Sequence, residues 1–211
     1  MKQIAINLYV GGLLLVLLSL NLSAQEKNDG YRFSMAVDLG VQNFLGRSGI
    51  SMIDYNQNDF SSMRYNCLLG FNNSKRFFAL ELSLSSIEAK YDNTLRESIS
   101  IYGLGLLSEN KLPVQEKLFI NYTIGAGLLA SSECIRYNSL DLDSFHRLGA
   151  YIKFGIGLGF DVNNLTIGAK EEIVEGYLQS KDLPSQIKLY QTPENRIIFS
   201  SITSLFLKIR L

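Results

Sequence analysis

His146 is the sole histidine of the 211 residues, and it ends the run Asp143-Ser144-Phe145-His146. A hydroxyl two residues from an imidazole, with a carboxylate nearby, is the minimum for nucleophilic acyl chemistry. The imidazole would take the proton of Ser144, and Asp143 or Glu133 would orient the ring. If this stretch is a strand, Ser144 and His146 share a face, because side chains alternate with period two. Ser, Asp and His are also ordinary loop residues and the signal is short, so the reading prefers a surface histidine and no enzyme. Asp141 and Asp143 are too few for a Ca²⁺ site, and no metal or cofactor is expected. Cys67 and Cys134 show neither a CxxC nor a zinc spacing, and a disulfide between them is not expected. The Gly-x-Gly runs at Gly125 and Gly155 would cradle a phosphate only between a strand and a helix, a context they lack. Twenty Lys and Arg balance twenty Asp and Glu, which implies no nucleic acid partner.

The elements that hold these residues alternate. From Tyr31 to Val41, Tyr31, Phe33, Met35, Val37, Leu39 and Val41 take one face, and Arg32, Ser34, Ala36, Asp38 and Gly40 the other. That is a half-buried strand of the length that crosses a bilayer when tilted. Similar strands are read near Met63 to Phe71, Phe78 to Ser86, Ser98 to Leu107, Leu118 to Leu128, Leu148 to Phe160, from Leu165, and through Leu205 to Leu211. The fourth is ambiguous, because Ile99 and Ile101 oppose Tyr102, Leu104 and Leu106. About eight strands result, joined alternately by short and long segments. Short turns fall at Asn72 to Arg76 and Asp161 to Asn164, with a longer one at Ser108 to Gln115. Long connections are expected at 42–62, 130–147 and 175–196, and a shorter one at Ile87 to Glu97. Short periplasmic turns and long outer loops are the habit of transmembrane barrels.

Residues 1–24 read as a cleaved secretory signal: Lys2, an apolar run from Leu8 to Leu20, then Leu22-Ser23-Ala24. Residues 25–30 form a short periplasmic lead-in, and 31–211 the barrel domain. A soluble barrel would also alternate, with its apolar side inward. Here the polar face is rich in Gly, Ser, Thr and Asn with single charges, which suits a crowded lumen better than a solvated exterior. Tyr31, Phe33, Phe71, Phe78 and Phe160 lie near the short-turn ends, where an interfacial girdle belongs. The fold expected is therefore all-β, an eight-stranded antiparallel up-and-down transmembrane barrel in the outer membrane, without an open pore. Pairing Phe160 with Leu165 across the turn sets Lys153 opposite Glu172, with Lys170 on the same face. An inward ion-pair cluster of Lys153, Lys170 and Glu172 follows, joined by Glu81 and Arg64, with a packing role. The same pairing turns Glu171 toward lipid, unless a bulge intervenes.

On the signal, the Gly155-Ile-Gly-Leu-Gly159-Phe160 strand, the Asn-rich turn and the amphipathic C-terminal strand, residues 31–211 resemble small outer-membrane barrels of Bacteroidota, of the PorT-like and OmpX/OmpA-barrel type. Such barrels usually end in an aromatic residue, where this chain has Leu211. The resemblance implies roles in adhesion, membrane integrity, solute passage or secretion without choosing among them. The expected partners are outer-membrane lipid and surface ligands or envelope proteins met by the long loops. The function read first is a structural or surface-interaction barrel. A lipid A-modifying enzyme using Ser144 and His146, and a narrow channel or secretion accessory, are the alternatives.

Overall fold

A strand whose alternate residues are apolar can satisfy its backbone and both faces by rolling into a closed sheet, which leaves no unpaired edge. The computed structural model, which describes residues 30–44, 61–90, 95–137, 140–179 and 195–211, has this form. Its strands are β1 (Arg32–Phe44), β2 (Ser61–Asn72), β3 (Arg76–Lys90), β4 (Leu95–Pro113), β5 (Leu118–Tyr137), β6 (Leu140–Val162), β7 (Leu165–Gln179) and β8 (Asn195–Arg210). Each pairs antiparallel with the next, and β1 closes onto β8, with Val37 opposite Leu207. There are no helices among the described residues. The proposed signal and lead-in, residues 1–29, lie outside them.

The apolar face points outward. Met35, Val37, Leu39 and Val41 are exposed on β1, while Ser34, Ala36, Asp38, Gly40 and Gln42 are buried. The same inversion holds on β6, where Phe154, Ile156, Leu158 and Phe160 are exposed and Lys153 is wholly buried. Near the short-turn end the outer aromatics pack on one another. Tyr31 and Phe78 have ring centroids 6.4 Å apart, and Phe33 meets Phe71 edge-on at 5.9 Å.

Several boundaries differ from those read in the sequence. Segment 130–147 is not a long loop. β5 continues to Tyr137 and β6 begins at Leu140, paired throughout with one irregularity at Ile135/Arg136. β5 and β6 have 20 and 23 residues, about twice the 9–11 that a tilted strand needs to cross a bilayer. In this part of the hairpin the inner face carries buried Ser131, Glu133 and Arg147, so polar residues stand on both faces and the alternation ends while the pairing does not. β7 likewise runs to Gln179, and β8 starts at Asn195 rather than after Arg196. The longer turn expected at Ser108 to Gln115 is a continuation of β4 to Pro113. The parts of the expected long loops at 45–60 and 180–194 lie outside the described residues.

The fourth strand's ambiguity has a physical cause. Ile99 and Ile101 point into the lumen and belong to an apolar cluster with Phe44, Ile87, Leu129, Tyr151, Val174, Leu178, Ile198 and Ile202. The outward residues beside them, Ser98 and Ser100, are polar, so the apolar face switches from inside to outside between Ile101 and Tyr102 and the alternation inverts its phase there.

Candidate functional site

The inward residues of β6 lay out the lumen in layers. From the long-connection end they are Arg147, Gly149, Tyr151, Lys153, Gly155, Gly157, Gly159 and Asp161. Arg147 holds Glu133 on β5, Nε to Oε1 at 3.1 Å, and the Ser131 hydroxyl donates to the same oxygen. Next comes the apolar cluster, of which the Tyr151 ring is part. Its hydroxyl turns the other way and donates to Glu81 Oε2 at 2.8 Å, so Tyr151 joins the apolar layer to the charged layer beneath.

That charged layer contains Lys153, Lys170 and Glu172. Lys153 Nζ lies 2.7 Å from Glu81 Oε1 and 3.1 Å from Glu172 Oε1. Lys170 Nζ lies 3.2 Å from Glu172 and 2.6 Å from Asp38. Arg64 approaches Glu81 at 3.5 Å, and its Nε donates to Asn66, which donates to Asp38. Three cations, Arg64, Lys153 and Lys170, thus meet three carboxylates, Asp38, Glu81 and Glu172. All six are buried. Charges removed from water need this balance, since an unpaired one carries a large desolvation cost. The pairs also reach across the barrel, from β3 to β6 and from β1 to β7, and not only between neighbouring strands.

The strand register differs from the one read in the sequence. Val162 pairs with Leu165, and only Asn163 and Asn164 form the turn. Asn163 has φ 54°, the left-handed conformation that closes a two-residue hairpin and that Asn tolerates. Phe160 therefore faces Ile167, and Lys153 faces Val174 rather than Glu172. A slip of two residues leaves every side chain on its face. Glu172 instead sits opposite Gly155, where a Cβ would lie 2.7 Å from its Cγ. Glu171 does face outward, and the β6–β7 pairing is continuous through it, without a bulge.

A further polar group near the short turns was not foreseen. Lys208 pairs with Glu109 and lies 4.1 Å above the Phe77 ring. Lys111 bonds both oxygens of Asp161 at 3.1 Å, and Asp161 also meets Thr166 and Arg210. Inward parity was the available signal for Asp38, Tyr151 and Lys208. Glu109 and Lys111 were assigned to a turn, which hid theirs.

Of the rim candidates, Ser144 and His146 share a face and Glu133 does not. Ser144 and His146 are both exposed on the outer wall of β6, opposite Cys134 and Ser132 of β5 respectively. Glu133 is turned into the lumen toward Arg147 and does not serve to orient His146. The side chains of Asp141 and Asp143 lie outside the described residues. No disulfide joins Cys67 and Cys134. Among the described residues no cluster of three or more metal-ligating side chains occurs.

No protein-family model matches the chain, and no curated protein matches it. Solved structures do. Neisserial surface protein A aligns with a TM-score of 0.57 at 11% identity, over 88% of this chain and 100% of that one. The fold is that of small outer-membrane barrels. More distant likenesses are Ail, the attachment invasion locus protein of Yersinia pestis, with a TM-score of 0.45 at 12% identity over 84% and 98% of the two chains. The N-terminal β-barrel domain of Pseudomonas aeruginosa OprF gives 0.42 at 12% identity over 86% and 100%. At these identities the likeness speaks to fold. What the barrel does has to come from its own wall, lumen and rim.

Proposed function

We propose that this chain is an integral outer-membrane barrel with a closed lumen, working through contacts made at its long-connection end. Residues 1–24 serve as its export signal and 25–30 as a short periplasmic lead-in. The observation that carries this reading is the reversal of faces. Val37, Leu205 and Ile156 are exposed on the wall, while Lys153, Glu81 and Glu172 are buried within it. Such a wall needs hydrocarbon around it, and such an interior needs the partners it has.

The lumen supports no through path. Ion pairs span it at one level and the Phe44–Ile99–Ile202 cluster fills the level above. Eight strands leave an interior only wide enough for side chains. Contact surfaces are then left to 42–62, 130–147 and 175–196. In the second of these the surface is a paired β-hairpin standing beyond the belt. Its partners are envelope proteins or surface ligands, with outer-membrane lipid around the wall. Kinship with the PorT-like and OmpX/OmpA-type barrels of Bacteroidota belongs to this same reading, on the Gly155–Gly159 strand and the Asn turn.

Two measurements test it. The refolded protein should shift in gel mobility between unboiled and boiled samples, and the native protein should fractionate with outer membranes. In planar bilayers it should be silent. Conductance that responds to Lys153 substitution would replace this reading with a narrow channel or secretion accessory.

A second reading rests on the shared outer face of Ser144 and His146, with Ser132 and Cys134 across from them. A hydroxyl and an imidazole on one outer face are the pair that attack on an acyl ester of lipid A would need. This enzyme reading predicts a changed lipid A mass profile in cells carrying His146→Ala, and an unchanged profile rejects it.

A further inference from the structure

The outer wall breaks its apolar rule on β7 and β8. Glu171 is exposed there, and the Thr203 hydroxyl of β8 donates to its Oε2. Along β7 the exposed outward neighbours of Glu171 include Ile167 on one side and Ile173 on the other. Along β8, Thr203 lies between exposed Phe199 and Leu205. The carboxyl therefore lies within the apolar belt, not at its margin. Glu175, also exposed, sits one turn of the pleat beyond Ile173 and pairs with Phe199.

An ionisable group facing hydrocarbon is costly and marks a contact. One hydroxyl fills one of roughly four acceptor positions on a carboxylate. Ala169, Ser201 and Thr203 surround Glu171 with small side chains, beside the larger Ile156, Ile173 and Leu205. Small residues let two walls approach closely, as they do between membrane helices. The patch carries an acceptor, Glu171, with carboxylate positions left over, and a hydroxyl donor, Ser201; the one proton of Thr203 is already given to Glu171 of its own chain. A two-fold rotation sets the donor of one such patch against the acceptor of another, which is what an isologous interface requires. Among the described residues, the outward positions of the belt hold no Lys or Arg, so no other face of the same chain offers this patch a charged partner.

We propose that the β7–β8 face is a two-fold interface between two copies of this chain in the membrane, closed by hydrogen bonds from the Ser201 hydroxyl of one copy to Glu171 of the other, with Thr203 holding each carboxyl in place. The proposal rests on the outer-membrane reading, and the test separates the two. In a Cys67→Ser, Cys134→Ser background, Ala169→Cys reports on the proposed interface and Leu128→Cys on the outward face of β5. Each variant is first checked for a boiled-versus-unboiled shift and for flotation with phosphatidylethanolamine–phosphatidylglycerol vesicles. On oxidation in those vesicles, Ala169→Cys should form a disulfide dimer and Leu128→Cys should not. Adding Glu171→Leu with Thr203→Val should weaken dimerisation about tenfold or more, because the acceptor and the hydroxyl that positions it are lost on both sides of the two-fold axis together. Glu171→Gln, which keeps acceptor and adds donors, should preserve it. Equal cross-linking at Ala169 and Leu128, or a dimer indifferent to the Leu/Val pair, overturns the interface. So does a barrel that shifts and floats but stays monomeric, which leaves the outer-membrane reading intact. A chain that neither shifts nor floats overturns both.

Discussion

Replacing Lys153 by Met tests whether the lumen is a stability device. Lys153 is wholly buried and its ammonium touches two carboxylates, Glu81 at 2.7 Å and Glu172 at 3.1 Å. The substitution keeps most of the volume and removes the charge, leaving Arg64 and Lys170 to face Asp38, Glu81 and Glu172. Glu172 retains only Lys170 among the cations that pair with it, and Glu81 retains Arg64 at the longer distance of 3.5 Å together with Tyr151. Breaking a buried pair while leaving its partner ionised costs about 3–5 kcal/mol, or about two to three and a half decades in the folding equilibrium. The chain has no tryptophan, so unfolding in urea is followed by the fraction of unboiled protein that keeps the folded mobility. Lys153→Met with Glu172→Gln restores two cations against two carboxylates and should be less destabilised than Lys153→Met alone. A single substitution costing under about 1 kcal/mol, the range of solvated surface pairs, would refute the reasoning. So would a double variant worse than the sum of the singles, since balance would then be irrelevant.

The other expectations concern packing, turn and rim. A Cβ at Gly105 would lie 2.2 Å from the Tyr151 hydroxyl. Gly105→Ala should thus destabilise by about 1–3 kcal/mol, the usual cost of overpacking, and by less when built into Tyr151→Phe, as read by a double-mutant urea series. Asn163→Gly should fold as the parent does. Asn163→Val should lose about 1–2 kcal/mol, because a β-branched residue resists φ 54°; equal midpoints for the two would discount the turn. At the short-turn end, Lys208→Met strands the buried Glu109 and should cost about 3–5 kcal/mol. Arg210→Ala removes a partly exposed pair with Asp161 and should cost no more than about 1 kcal/mol. Refolding yields that rank these two the other way would mean water enters the lumen from that end.

How much of this was legible depended on whether the two faces of a strand met different surroundings. On β1 and β6 they do, an exposed apolar wall outside and packed polar groups inside, and the alternation gives both strand and polarity. On β4 at Ile99 and Ile101 the lumen is itself apolar and the outward Ser98 and Ser100 are polar, so the alternation changes phase though the strand does not break. In the far part of the β5–β6 hairpin, Ser131, Ser132 and Glu133 are polar on either face, and the pairing could not be seen without the partner strand. The charge cluster was legible as a face, because parity survives a two-residue slip. Its register was not, since that depends on Asn163 adopting a left-handed turn. Asp38 escaped for another reason: its partner Lys170 is two strands away around the wall, a neighbour made only by closure.

Closure also explains why the lumen carries so many charges in a protein proposed to act at its surface. Outward residues such as Leu205 and Ile156 are exposed on the barrel wall, and in the membrane proposed for it their contact with lipid gives little preference for one strand arrangement over another. Strand pairing is satisfied by any closed sheet. Discrimination must then come from inside, where groups either meet their partners or do not. The Lys153–Glu81 and Lys170–Asp38 pairs join non-neighbouring strands, and Lys208–Glu109 joins β8 to β4. A two-residue slip of one strand would keep its faces but pull these ends apart. The lumen therefore fixes one register among several that the wall alone would accept. A fixed register is what holds the β5–β6 hairpin, and any surface it offers, in one orientation above the membrane.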